Sequence, residues 1–283
     1  MIKVSCNYKI EKDIDFIIDA LKINANELST LCNISRTTLN EIKNNINVKK
    51  EVIEKIYSFA FLNKLRINSV KEELIKEKYI NVLFHGSKNG LDFIDVNGGR
   101  KYCDFGNGFY LGETFEQALS FIFEKDISSV YSFTYNLDNL NVLKFNCDLN
   151  WMLTICFYRG LLNDYKDNLK IKNLIKKVED CDVIIAPIAD NRMFYIMNQF
   201  IDGNINANIA LHSLASSKLG YQYVFKSEES LKHIFPIEKH YICNEERKMC
   251  VDKFTQRAYE IDTKLKFAKR EFKEGLYIEE ILK

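Results

Sequence analysis

The sequence predicts an α+β protein with a small all-α module in front of it. Three observations carry that expectation. Residues 9–66 space their apolar side chains at the helical period and show no strand pattern, residues 81–238 mix short β-branched or aromatic runs with helical stretches, and residues 244–283 return to the helical period. Strands and helices that mix without strict alternation point to α+β and away from a doubly wound parallel sheet.

In the first region Ile14, Phe16, Ile17, Ala20 and Leu21 mark one helix. Asn26 is expected to cap a second that buries Leu28, Leu31 and Cys32, and Ser35 a third that turns Leu39 and Ile42 inward. Val52, Ile53, Ile56, Phe59, Ala60 and Leu62 then close the bundle. The short Asn33-Ile34 link resembles the helix-turn-helix of the phage-repressor class. That resemblance implies that residues 35–44 enter a major groove, with Arg36, Thr37, Asn40 and Lys43 as the DNA-reading face. The alternative is a helical module that holds a partner or the rest of the chain, because residues 1–68 carry 11 Lys+Arg against 8 Asp+Glu, a small excess for a DNA binder. Residues 69–80 read as a linker.

In the second region strands are expected at 82–84, 130–135, 141–145, 182–186 and 221–225. Helices are expected at 115–124, 151–162, 169–178, 194–200 and 205–215. Four motifs stand out: HGS at 85–87, DFGNGFYLG at 104–112, IAPIADNR at 185–192 and QYVF at 222–225. The GNG precedes an aromatic strand and lacks a third glycine opening a helix, which argues against a dinucleotide-binding Rossmann unit. Glycine gives up the most backbone entropy on ordering, so Gly86, Gly106 and Gly108 imply close approach of backbone to a ligand.

In the third region, 10 Lys+Arg nearly balance 9 Asp+Glu. Val251, Phe254, Ala258, Ile261, Leu265 and Ala268 form one helix face, and Gly275 breaks the run before 276–282. The expectation is a docking tail or partner-binding helix, with a plain structural helix as the alternative.

Composition narrows the function classes. No apolar run reaches the roughly 18 residues that span a bilayer, and MIKVSCNYKI lacks the apolar core of a signal peptide, so a cytoplasmic protein without a membrane partner is expected. The 8 cysteines are scattered with no CxxC pair, against a disulfide framework or a zinc site. His212, His233 and His240 have no metal-ligand spacing with an acidic or cysteine partner, so no metal is expected. A net charge of +1 excludes global attraction to nucleic acid and leaves only a local patch.

The four motifs, in this order, resemble the ADP-ribosyltransferase superfamily, in its His-Tyr-Glu branch with the poly(ADP-ribose) polymerases and diphtheria-toxin-like enzymes. They are most similar to an uncharacterised bacterial branch carrying HGS, DFGxGFYL, IAPIAD and QYVF. The resemblance spans residues 81–238 and implies a split β-sheet core over 81–243, NAD as substrate, and mono-ADP-ribosylation of a protein or nucleic-acid target. It implies that His85 binds a ribose hydroxyl, that Gly86 meets the nicotinamide carboxamide, and that Tyr110 stacks on the nicotinamide ring with Phe121 as the second wall. Ser87, Asp104, Gly106 and Asn107 complete the expected NAD contacts. Asp104 and Asp190 are supporting groups, the former read first as a cap of the glycine turn. Gln222 stands where the type pattern has its catalytic glutamate, and the nearby Glu228 and Glu229 read as the start of a surface helix. The neutral Gln222 keeps open an inactive, NAD-sensing DNA-binding regulator and an NAD glycohydrolase. The combination looks like a bacterial toxin or defence effector, whose partner would include a neutralising antitoxin-like protein.

Overall fold

The structure, a computed structural model, describes residues 1–44, 49–99, 102–215 and 219–283. Its class is α+β, with one mixed sheet between two helical regions. After β1 (Ile2–Lys3), the helices α1 (Ile10–Leu21), α2 (Ala25–Leu31), α3 (Arg36–Lys43) and α4 (Lys50–Leu62) close around Ile14, Ile17, Leu28, Leu39, Ile42 and Ile56. Ser35 caps α3 as expected, its Oγ accepting from the Thr38 amide at 2.9 Å. The cap of α2 is Asn24 and not Asn26. Asn24 Oδ1 accepts from the amides of Asn26 and Glu27 while the Glu27 carboxylate accepts from the Asn24 amide, a reciprocal capping box. Leu31 and Leu62, expected inside, are 56% and 70% exposed.

The stretch read as a linker is the helix α5 (Ile67–Lys78). Its charged sequence thins the apolar stripe to a few positions, of which Ile67 and Ile75 are buried. Asn68 and Lys71 bond it to residues that follow the last strand or lie in it.

The strands are β2 (Val82–Ser87), β3 (Phe93–Ile94), β4 (Phe109–Gly112), β5 (Ser129–Tyr135), β6 (Val142–Lys144), β7 (Val183–Pro187), β8 (Tyr221–Phe225) and β9 (Ile234–His240). β1 and β3 form a ribbon, and the other seven form one sheet in the order β6-β7-β8-β4-β2-β5-β9, antiparallel except for β6 and β7. β9 escaped the sequence reading because Pro236 and the charged Glu238-Lys239 interrupt its pattern. It tolerates the proline as an edge strand beside a register shift at Ser132/Phe133.

The sheet is narrowest between β2 and β4. Whereas β2 meets β5 from Val82↔Thr134 to Ser87↔Ser129, it meets β4 only at Phe84↔Gly112. Gly112 pairs in turn with Gln222 of β8, and Gln222 with Ala186 of β7. Residues directly opposite one another share a face, so Phe84, Gln222 and Ala186 lie on one side of the sheet. Helices cover that side in two groups. Over β2 and β5 lies α6 (Phe115–Ser120), whose Phe115 and Leu119 pack with Phe84 and Val130. Over β7 and β8 lie α7 (Leu149–Tyr158), α8 (Leu169–Glu179), α9 (Asn191–Ile201) and α10 (Ala207–Ala215), around Trp151, Ile184, Phe200 and Val224. The opposite face holds Leu83, Phe109, Phe133 and Phe225 under the β1–β3 ribbon.

A short α11 (Glu228–Leu231) begins where the surface helix was expected, and then α12 (Asn244–Glu271) and α13 (Ile278–Ile281) finish the chain. Of the readings of this tail, the one that docks it on the rest of the chain describes the structure. Ile261, Leu265 and Ala268 of α12 are buried in the core beside α9 and α10, and its Lys253 and Arg257 pair with Glu116 of α6. No helix among the described residues is long and apolar enough to cross a membrane.

Candidate active site

Where β2 and β4 part, between the two helix groups, a cavity of about 1120 Å³ opens. Its lining includes His85, Gly86, Tyr110, Phe121, Asp104 and Gln222. The volume exceeds the roughly 300–1,000 Å³ usual for drug-sized ligands.

His85 sits just past the last β2–β4 pair. Its Nδ1 lies 2.8 Å from the carbonyl oxygen of Tyr110, so the imidazole bridges the gap that the ladder leaves open. A carbonyl only accepts, which puts the proton on Nδ1 and leaves the Nε2 lone pair as an acceptor. Desolvation lowers the pKa of His85 to about 4 against the favourable carbonyl contact, so the ring is neutral at physiological pH. Phe109 stacks on it with centroids 4.4 Å apart.

Tyr110 is half-buried and holds its own loop closed. Its hydroxyl donates to the Gly106 carbonyl at 2.7 Å and accepts from the Phe105 amide at 3.1 Å, while burial pushes its pKa well above the usual phenol value. Lys226 staples the same loop from the end of β8, its Nζ donating to the carbonyls of Phe105 at 2.6 Å and Asn107 at 3.3 Å. With both polar ends of the loop fixed, the orientation of the Tyr110 ring is fixed as well.

Asp104 does not cap the glycine turn. It is buried, and its Oδ1 accepts from Nε and NH2 of Arg159 at 2.9 and 2.6 Å, while its Oδ2 accepts from Nε2 of Gln222 at 2.9 Å. The Gln222 amide donates its second hydrogen to the Pro187 carbonyl at 3.2 Å. Both partners are acceptors, so the amide orientation follows from the network, and Oε1 is what remains for a ligand. Arg159 also lies over the Phe194 ring at 4.9 Å.

Each of the three glycines has protein neighbours that a side chain would strike, and Gly86 and Gly108 also line the cavity. A Cβ on Gly86 would lie 2.3 Å from the Ala118 carbonyl, so the missing side chain lets α6 press against β2. Gly106 has φ +73°, and a Cβ there would meet the Tyr158 ring at 2.8 Å, while one on Gly108 would strike Val224. Two further expected contacts are tied to protein partners. The Ser87 hydroxyl donates to the Gly90 carbonyl, and Asn107 Nδ2 donates to Asn97 Oδ1 at 3.0 Å. Phe121 ends α6 at the cavity rim, 45% exposed. Asp190 caps α9 through the amides of Arg192 and Met193.

On α3, Arg36, Thr37 and Asn40 are exposed, and Lys43 pairs with Asp15 at 2.6 Å. The sequence reading missed Arg159 and Lys226. Arg159 sat unremarked inside an expected helix, whereas Lys226 directly follows the QYVF motif, where a strand-end cation facing a glycine loop was a usable signal.

Comparison with curated proteins and with solved structures finds no match. Residues 81–235, which hold β2 through the start of β9 and with them His85, Asp104, Tyr110, Phe121, Arg159, Gln222 and Lys226, match the family described as "Protein of unknown function (DUF3990)", and the chain belongs to that family.

Proposed function

We propose that the protein is an NAD-dependent mono-ADP-ribosyltransferase acting on a macromolecular acceptor. The observation that carries this reading is a pair of unspent acceptors lining one cavity: Nε2 of a neutral His85 and Oε1 of an amide whose two hydrogens are both engaged. Ribose hydroxyls are the donors such acceptors suit. The ring of Tyr110, clamped through its hydroxyl, offers a flat face to a positively charged pyridinium, a contact worth on the order of 1 kcal/mol or more. The cavity has the volume for both halves of NAD.

In the reaction, the bond between the ribose anomeric carbon and the nicotinamide nitrogen breaks, and its electron pair leaves with nicotinamide. Positive charge then develops on the ribose beside Gln222, with the Asp104 carboxylate behind it. The acceptor nucleophile bonds to the anomeric carbon and gives up its proton. Water in that position makes the same site a glycohydrolase.

The test is nicotinamide release from NAD by the purified protein, alone and with lysate, DNA or RNA. Acceptor-dependent release that falls on the order of 100-fold in His85→Ala is the expected outcome. Absence of release under every condition, without a thermal shift from NAD, overturns the reading. If NAD binds without turnover, the site is a sensor, and the exposed Arg36, Thr37 and Asn40 make DNA the output to assay.

A further inference from the structure

Asp104, Arg159 and Gln222 form a connected network at the cavity wall, with Asp104 and Gln222 buried and Arg159 partly so, and their arrangement says more than their separate positions. Asp104 is 6% exposed and Gln222 7% exposed. Arg159 grips one carboxylate oxygen with two donors, which holds the other oxygen toward Gln222. An isolated glutamine amide presents a donor or an acceptor with equal ease, because its two ends are nearly the same size. Here the donor end faces a carboxylate and a main-chain carbonyl, so the flipped orientation sets oxygen against oxygen at both contacts.

We infer that Asp104 is a positioning residue, locked by Arg159, that turns Gln222 into a dedicated hydroxyl acceptor and puts a fixed negative charge behind it. The inference rests on the function proposed above. It gives the site selectivity for a ribose hydroxyl over any group that only accepts. It also gives a neutral glutamine access to charge stabilisation, since hydrogen bonds to an anion polarise the amide more strongly than hydrogen bonds to a neutral group. Gln222 is the group that would touch the substrate, and Asp104 acts through it. The ionisable groups facing Asp104 are Arg159 at the end of α7 and the Tyr110 phenol on β4.

Three variants test the inference: Asp104→Asn, Gln222→Glu and the double. In Asp104→Asn the introduced amide keeps its oxygen on Arg159 and turns its N–H toward Gln222. Gln222 is then caught between N–H facing N–H and, if flipped, its oxygen facing the Pro187 carbonyl, so its acceptor is no longer fixed toward the cavity. The expected result is a kcat for nicotinamide release lowered on the order of 10- to 100-fold, with KM for NAD changed far less. In Gln222→Glu two carboxylates share one hydrogen-bond distance with a single guanidinium beside them. One carboxylate must hold a proton, its folded pKa is raised, and melting temperature falls as pH rises from 5 to 8. In the double variant the introduced amide donates to the introduced carboxylate. The pH-dependent loss of melting temperature disappears and kcat recovers to within about threefold of the wild type.

A merely structural Asp104 predicts no such rescue, and a double variant no better than Asp104→Asn overturns the inference. So does a Gln222→Glu protein that melts like the wild type at both pH values. The melting arm uses no NAD, so it judges the Asp104–Gln222 pairing separately. A wild type that neither binds NAD nor releases nicotinamide overturns the functional reading itself.

Discussion

Two regions of this protein bury polar side chains, and they dispose of them differently. At the interface between α5, β9 and the N-terminal helices, charges compensate one another within the protein. Lys71 lies between Asp13, at 2.8 Å, and Glu238, whose other oxygen takes Lys9 at 3.0 Å, and Tyr57 donates to Asp13. The buried atoms without a hydrogen bond among the described residues, Asn68 Oδ1, Glu238 Oε1 and His240 Nδ1, all lie near this interface, and Lys71 faces Glu238 Oε1 electrostatically. At the cavity the buried groups are bonded, and the valences left over on His85 and Gln222 belong to side chains that line open space. A polar group spent against its own chain holds the fold together. One that is fixed at one end and unspent at the end facing a cavity is organised for a ligand.

The contrast breaks most sharply at Lys71. Lys71→Met leaves two carboxylates facing each other without their shared cation, and a loss of about 3–5 kcal/mol in chemical denaturation is expected. A loss below about 1 kcal/mol would mean that the interface is not held by charge. At the cavity the order reverses, with function lost before stability. Tyr110→Ala is expected to weaken NAD binding by about tenfold or more in calorimetry, since it removes the ring face and the two hydrogen bonds of its hydroxyl to the loop.

Glu246 sharpens the comparison through pH. It accepts from Asn68 at 2.7 Å, yet desolvation pushes its pKa up to about 7 against that bond and against Arg66 and Arg247. Its folded pKa lies above its unfolded value, so its stabilising effect is complete below about pH 4.5 and is lost as pH rises through about 7. Glu246→Gln keeps the acceptor for Asn68. It should match the wild type at pH 5 and exceed it by about 2 kcal/mol at pH 8, checked by denaturation at both. The smallest effect is expected at His85. With a folded pKa near 4 it stays neutral, so nicotinamide release should show no titration near pH 6.5. A loss of activity below that pH that disappears in His85→Ala would mean that the imidazole is solvated and becomes charged.

Much of the second region was legible because its signals are local. The runs at 82–84, 130–135 and 221–225 are strands, and the four motifs line or border one cavity, while in the first region Ser35 caps its helix by the same kind of local signal. The failures were of another kind. Asn24 outcompetes Asn26 as a cap because a glutamate three residues on completes the box, a choice between neighbours that propensity does not rank. α5 and β9 were missed because their apolar content is low and their burial is arranged by partners far along the chain, such as Asn68 with the Tyr241 carbonyl. At Gly86 and Gly106 the need for glycine comes from distant partners that the sequence does not name, since α6 and Tyr158 occupy the space a side chain would need.

The sequence by itself determined which residue types stand at the cavity: a histidine at a strand end, an aromatic after a glycine loop, and a glutamine at the start of QYVF. Those properties follow from residue type and from neighbours within a few positions. Only the tertiary structure decided what each has left to offer. The carbonyl of Tyr110 selects the tautomer of His85, and Asp104, fixed by Arg159 from 55 residues away, selects the face of Gln222. A hydrogen-bond donor or acceptor is available to a ligand only after every closer claim on it has been met, and those claims come from strands and helices that meet only in the folded chain.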